Sequence, residues 1–366
     1  MGFSEFLGNE QIVQALRGML RREHVPNALL FVGPRGIGKF TLARMFAQAA
    51  NCEKLRDDFC GKCATCARIS RLADTEALIE QGLAERGESP DAATVERMPL
   101  ILEADPDVWA IVADPVRKRN PVARPMIRMG QLRAVQRAAY FHPQGRKRVF
   151  ILDGADTMRW TDADVFLKIL EEPPESATLI LLAQRSDALL PTIRSRCLTF
   201  WFAPVATEAI ESFLEQRTEM KRAERNLAAQ LADGCPGVAL GLDLRESVRL
   251  RREVLELVSE AAAGKSYRAT FAASARLSKS ESESFEFILA VIYSLLADLL
   301  ALSHSPKSFV PRNPDLRGEL ETLASKVTYT WVARAAESLD RLEGRLRRNI
   351  GRQLGLDALA VTLGVR

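Results

Sequence analysis

The chain has 366 residues, of which 47% are hydrophobic and 27% charged, and its net charge is +4. That length exceeds what one hydrophobic core supports and predicts two or three domains. The mild positive balance permits contact with nucleic acid without arguing for it. The three histidines, His24, His142 and His304, lie far apart; they exclude a His-rich metal site and leave a Ser-His-Asp triad only by long-range assembly. No basic start followed by an apolar core opens the chain, and the longest apolar stretch, Phe287 to Leu302, is interrupted by Ser294 and Asp298. It reads as a buried helix rather than a membrane span, so a cytoplasmic protein with no membrane partner is expected.

In chain order, Ile12, Leu16 and Leu20 share one helical face. Ala28 to Val32 is a continuous apolar run, the pattern of a strand buried on both faces, and it stops at Gly33. Residues 33–41 read G-P-R-G-I-G-K-F-T, and a helical pattern follows from Thr41 to Ala47. Further buried strands are expected at 148–152, ending at Asp153, and at 178–183, with a short one at 198–202; helical patterns fall at 130–140 and 161–171. Strand and helix in alternation, with apolar strands, predict a parallel sheet covered by helices. After Pro204 no strand stands out. The expected division is a sheet domain over 1–205, a small helical segment over 206–245 and an all-helical domain over 246–366. Residues 70–103 are charged, rich in Ala and Glu and helix-prone, and read as an insertion.

Cys52, Cys60, Cys63 and Cys66 form C-x7-C-x2-C-x2-C. Four thiolates at this spacing suit tetrahedral Zn²⁺, with Gly61 allowing a tight turn between ligands. Two disulfides are the alternative, disfavoured in a reducing compartment, and a redox pair would not explain four cysteines. A closed four-cysteine site leaves no position for substrate, so the metal is expected to be structural. Cys197 and Cys235 stand alone and read as small buried hydrophobes.

The glycine loop fits G-x-x-x-x-G-K-[ST] at Gly33, Gly38 and Lys39, with Gly36 between them, but Phe40 replaces the hydroxyl that holds Mg²⁺. Thr41 is no substitute, because one residue along a helix turns the side chain by about 100°. Backbone N–H groups at the helix start and Lys39 can still cradle phosphate, which leaves room for weakly held ATP or ADP. Asp153 reads as a metal ligand or as the cap of the next helix, and Gly154 stands where a water-activating Glu would follow it. Arg196, in Ser195-Arg196-Cys197, reads as a surface cation or as an arginine finger acting on a neighbour's phosphate.

Several of these stretches, in this order, resemble bacterial clamp-loader subunits, AAA+ proteins of the DNA polymerase III holoenzyme. They are residues 3–10 (F-S-E-F-L-G-N-E), the glycine loop, the four cysteines, Leu167-Lys168-Ile169-Leu170-Glu171-Glu172-Pro173-Pro174 and Ser195-Arg196-Cys197. The matching motifs cover roughly the first 200 residues. The resemblance implies an AAA+ P-loop domain carrying a zinc module, then a helical lid and a helical collar for oligomerisation. It implies zinc on Cys52, Cys60, Cys63 and Cys66, a finger at Arg196, and a degenerate nucleotide site at Gly33, Gly36, Gly38, Lys39 and Asp153. The partners it implies are gamma/tau and delta subunits in a hetero-pentamer, with the sliding clamp and primed DNA reached through the complex. Phe40, Gly154, the stretch Ala183-Gln184-Arg185 and an arginine-free lid motif at residues 234–240 resemble the non-hydrolysing, stator-like delta-prime branch. The alternatives are a gamma/tau-like ATP-hydrolysing motor, a self-contained helicase-like motor and a plain DNA-binding protein. The sequence departs from its relatives at Asn27, where His is frequent, and in the 70–103 insertion.

Overall fold

The computed structural model describes residues 2–87, 90–115, 125–264, 267–278, 285–304, 311–346 and 351–364. It divides into two compact units, one of residues 1–217 with 234–240 and the other of residues 218–233 with 241–366. The stretch 206–245, expected as one lid, is shared between them.

The first unit is built on a six-stranded sheet: β1 (Ala28–Val32), β2 (Leu102–Asp105), β3 (Val108–Val112), β4 (Arg148–Asp153), β5 (Ala177–Ala183) and β6 (Leu198–Trp201), in the order β2-β3-β4-β5-β1-β6. All pairings are parallel except β2 with β3, a tight antiparallel hairpin at one edge. The strands read from the sequence as continuous apolar runs are the central ones: every residue of β1 and β5 is buried, and so is β4 up to Asp153. Strands flanked on both sides and covered on both faces leave no polar positions to alternate with.

The hairpin β2–β3 was not apparent in the sequence. Leu102-Glu103-Ala104-Asp105 is short and half acidic, and it follows the helix-prone stretch whose α4 (Thr75–Glu85) and α5 (Ala92–Arg97) form as expected. Residues 88 and 89 of that stretch lie outside the described residues. The stretch is docked onto the sheet. Arg86 at the end of α4 donates to both carboxylate oxygens of buried Asp114, at 3.1 and 2.9 Å, and to the Met98 carbonyl at 2.6 Å. A second cation, Arg128, approaches the same buried carboxylate at 3.4 Å, so Asp114 faces two guanidinium groups.

The helices around the sheet are α1 (Glu10–Arg21), α2 (Lys39–Asn51), α3 (Ala64–Ser70), α6 (Met129–Ala139), α7 (Trp160–Glu171), α8 (Pro191–Arg194) and α9 (Thr207–Glu215). α1 buries Ile12, Leu16 and Leu20, the face read from its periodicity, together with Val13 and Met19.

The second unit is all helical: α10 (Arg222–Leu231), then, after the short α11 (Pro236–Gly241) of the first unit, α12 (Leu244–Ala263), α13 (Tyr267–Ser278), α14 (Phe285–His304), α15 (Arg317–Ala324), α16 (Tyr329–Leu346) and α17 (Arg352–Gly364). By length and composition α14 could cross a bilayer. Its Ile288, Ile292, Leu295, Leu299 and Leu302 instead lie in one apolar core, where α14 packs against α12, α15 and α16. Asp298, on the same helix, is fully buried and accepts bonds from the Arg312 and Asn313 amides and from Asn313 Nδ2 at 2.7–3.0 Å.

Candidate functional site

The glycine loop leaves the C-terminal end of β1 and feeds α2. Gly36 and Gly38 hold φ of +79° and +101°, backbone that a side chain would strain. Both glycines are also crowded. A Cβ on Gly36 would meet Val238 Cγ2 at 2.6 Å, and one on Gly38 would meet the Phe6 ring at 2.9 Å. The Gly237 amide donates to the Gly36 carbonyl at 2.8 Å. The loop is therefore roofed by Phe6 from one side and by the start of α11 from the other. Neither contact was legible in the sequence, because the partners are remote in the chain.

Lys39 is buried, and its ammonium donates to the Gly33 and Pro34 carbonyls of its own loop at 2.6 and 2.8 Å. Burial lowers its pKa, against the opposing pull of Asp153 and Asp156. Burial likewise raises the Asp153 carboxyl, against the Lys39 charge. Lys39 and Asp153 thus form one electrostatic cluster at the C-terminal ends of β1 and β4. The turn after Asp153, Ala155–Thr157, is capped by Gly154 with no side-chain bond, and Gly154 itself sits at φ +81°. Asp156, not singled out from the sequence, accepts from the Gln184 and Arg185 amides at 3.0 and 3.4 Å and ties the exit of β4 to that of β5. Thr41 is exposed and Phe40 half-buried.

Arg196 is held elsewhere. It precedes β6, whose first residue, Leu198, pairs with Leu29 near the start of β1, whereas the glycine loop follows Val32, which pairs with Trp201. Because β1 and β6 run parallel, Arg196 and the loop lie at opposite ends of the strands. Its guanidinium donates to the Thr192 carbonyl at 3.0 Å and to the Glu171 carboxylate at 2.9 Å.

The four cysteine sulfurs all lie within 4.8 Å of one another, and Cys52, Cys63 and Cys66 are buried. None is in a disulfide. Cys52 closes α2, Cys60 follows a loop, and Cys63 caps α3, whose first turn carries Cys66. Gly61, at φ +67°, turns the chain between Cys60 and Cys63. Peptide N–H groups point at the sulfurs: Leu55 and Cys60 at Cys52, Lys62 and Cys63 at Cys60, and Cys66 at Cys63, at 3.3–3.5 Å. Such donors favour thiolate; those of Lys62 and Cys63 bring the Cys60 pKa down to about 6, whereas burial pushes Cys66 up. Four convergent sulfurs ringed by amide donors fit a soft, tetrahedral divalent cation such as zinc, which when bound would supply the positive charge that buried thiolates need. Outer contacts fix the frame. Arg146 Nη2 donates to the carbonyls of Ala49, Cys52 and Leu55, and Gln48 donates to the Cys66 carbonyl at 2.9 Å. Cys235 is buried as expected, and burial pushes the half-buried Cys197 up to about 12.

A parallel sheet with a glycine loop at the end of its first strand, an acidic residue ending a central strand, a cysteine module and a helical region is an AAA+ α/β arrangement. The family model described as "DNA polymerase III, delta subunit" matches residues 8–206. That is more than half of the chain, and the chain belongs to this family. Among curated proteins it is 24% identical to DNA polymerase III subunit tau of Bacillus subtilis (strain 168) over 262 residues, 70% of this chain and 39% of that protein. It is 28% identical to subunit gamma/tau of Mycobacterium tuberculosis (strain ATCC 25618 / H37Rv) over 220 residues, 60% of this chain and 32% of that protein. It is 27% identical to subunit tau of Escherichia coli (strain K12), over 58% of this chain and 27% of that one. These matches span well under half the length of each relative. Solved structures that align with this chain include a DNA polymerase III gamma subunit-related protein of Thermotoga maritima (15% identity, TM-score 0.35, 96% of this chain and 98% of that one). A variant of RuvB from the same organism is another (14% identity, TM-score 0.40, 89% and 87%).

Proposed function

We propose that this chain is the stator-like, delta-prime-type subunit of a DNA polymerase III clamp loader, which does not itself hydrolyse ATP and lends Arg196 to an adjacent motor subunit. The observation that carries this reading is the separation of Arg196 from the chain's own loop by the length of the strands, with the guanidinium half-open to solvent at 35% exposure. A cation placed there is of no use to the nucleotide site of its own chain but is free to meet one on a neighbour. The state of that loop supports the other half of the reading. Its lysine is engaged with loop carbonyls, position 40 carries no hydroxyl, and position 154 has no side chain to activate water.

In this proposal the partners are gamma/tau-type and delta-type subunits in a hetero-pentamer in the cytoplasm. The sliding clamp and primed DNA are engaged through the complex, zinc is a structural cofactor on the four cysteines, and α9–α11 and α12–α17 serve as lid and collar. The test is a reconstituted complex carrying Arg196→Ala. An arginine finger is worth about 10³-fold or more where it supplies charge to the transition state. Assembly should persist on gel filtration while DNA-stimulated ATP hydrolysis at that interface is lost; unchanged hydrolysis would exclude the trans role.

A further inference from the structure

The segment L-K-I-L-E-E-P-P has no task in the account above, yet its place in the fold is closely fixed. α7 stops at Glu171 because Pro173 disfavours helical backbone at Glu172 and cannot itself continue the helix. The three carbonyls that follow are each engaged. Glu172 accepts from the Tyr140 hydroxyl at 3.3 Å, Pro173 from Asn27 Nδ2 at 3.4 Å, and Pro174 from the Ala177 amide at 3.0 Å. The helix end is thereby anchored to α6, β1 and β5. The anchoring places the Glu171 carboxylate 2.9 Å from Arg196 Nη2, while Nη1 is seated on the Thr192 carbonyl.

We propose that Glu171 is a positioning residue that parks Arg196. It holds the guanidinium, charge-paired and partly exposed at the surface, until the terminal phosphate of a nucleotide on the neighbouring subunit takes the place of the carboxylate. The proposal rests on the reading that Arg196 acts in trans. Both partners are solvent-exposed, at 35% and 52%, so the pair is weak and exchangeable. A phosphate offers more negative charge and oxygens spaced to accept two parallel guanidinium bonds, so it outcompetes one carboxylate oxygen. The Thr192 contact can survive the exchange, which leaves the finger oriented while its partner changes. Parking also has a regulatory effect, since hydrolysis in an incompletely closed complex is held back for as long as Glu171 keeps the cation.

The test uses the reconstituted clamp loader with ATP, assayed with and without primed DNA and clamp, carrying Glu171→Gln, Glu171→Asp, Arg196→Ala or Glu171→Gln with Arg196→Ala. Removing the charge at 171 should raise DNA-independent hydrolysis about two- to fivefold, the range an exposed ion pair commands. The ratio of stimulated to basal rate should narrow, with zinc content and melting temperature unchanged. Glu171→Asp should restore the ratio, and the effect of Glu171→Gln should vanish in the Arg196→Ala background. If Arg196→Ala abolishes stimulated hydrolysis but Glu171→Gln leaves the ratio as it was, or lowers both rates together, the parked pair is wrong and the finger stands. If Arg196→Ala has no effect, both fall.

Discussion

In the proposed non-hydrolysing reading, Gly154 counts twice. It lacks the carboxylate that would activate water, and its φ of +81° is backbone in which a glutamate would be strained. Gly154→Glu should therefore destabilise the protein by about 1–2 kcal/mol without conferring turnover. Urea unfolding measures the first, and Mg·ATP hydrolysis by the isolated chain the second; a rate near 1 s⁻¹, ordinary for an enzyme, would contradict the reading. The residues of the glycine loop were legible because Gly33, Gly38 and Lys39 match, and Phe40 departs from, a short motif whose chemistry is known position by position. Their occupants were not. Phe6 over Gly38 and Val238 over Gly36 depend on how distant segments return to the loop, which no local pattern encodes, whereas Lys39 turns onto the Gly33 and Pro34 carbonyls within the loop itself. Glu171 was visible as part of a motif, but its ion pair with Arg196 required α7 and the approach to β6 to be placed side by side.

Among the elements, the cysteine module joins the end of α2 to the start of α3, and the sheet unit leans on it. Asn51, next to Cys52, accepts from the Arg146 and Lys147 amides ahead of β4, and Asp58, within the module, accepts from the Phe3 amide. If zinc is the structural cofactor proposed for this cluster, Cys63→Ser should lower bound zinc, measured by elemental analysis, and reduce stability by about 3 kcal/mol or more in thermal unfolding, because binding of a structural metal is coupled to folding. An unchanged melting temperature with zinc lost would show the site to be dispensable. The cluster was fully legible, since ligand spacing is a local property. β1, β4 and β5 were legible because burial on both faces makes them uniformly apolar, and the half-exposed β6 as a short apolar run, whereas β3, apolar and largely buried, was missed. The edge strand β2, with Glu103 exposed and Asp105 turned to Arg68 at 2.7 Å, carries the charges of its surroundings, and its first two residues fell within the stretch read as a helix-prone insertion.

At the scale of the molecule, the helical unit is organised around a buried polar network inside its apolar core. Asp298 holds Asn313; Asn313 Oδ1 accepts from Arg251 Nε and Nη2 at 3.2 and 2.9 Å, and Arg251 Nη2 reaches Asp315 at 2.6 Å. The network pins the segment before α15 to α12 and α14. Asp298→Ala would leave buried donors unpaired and should cost about 2–4 kcal/mol. The loss should appear in the unfolding of the helical unit, followed by its tryptophan, Trp331, while zinc content stays constant. Retained stability would mean that the apolar packing alone carries this unit.

What the sequence determined by itself was the chemistry that resides in short segments. This comprises the four cysteines at metal spacing, the glycine loop with Phe40 in place of a hydroxyl, the buried strands β1, β4 and β5, and the change from strand-and-helix alternation to helix alone after Pro204. Only the tertiary structure decided that the loop is roofed from two sides, that residues 218–233 and 234–240 belong to different units, and that Arg196 stands at the far end of the strands from its own loop, beside Glu171. The reason is one of range. Spacing and periodicity act over a helical turn or a strand, whereas the position of a cation relative to a phosphate site is fixed by strand order and register, which join residues separated by most of a domain.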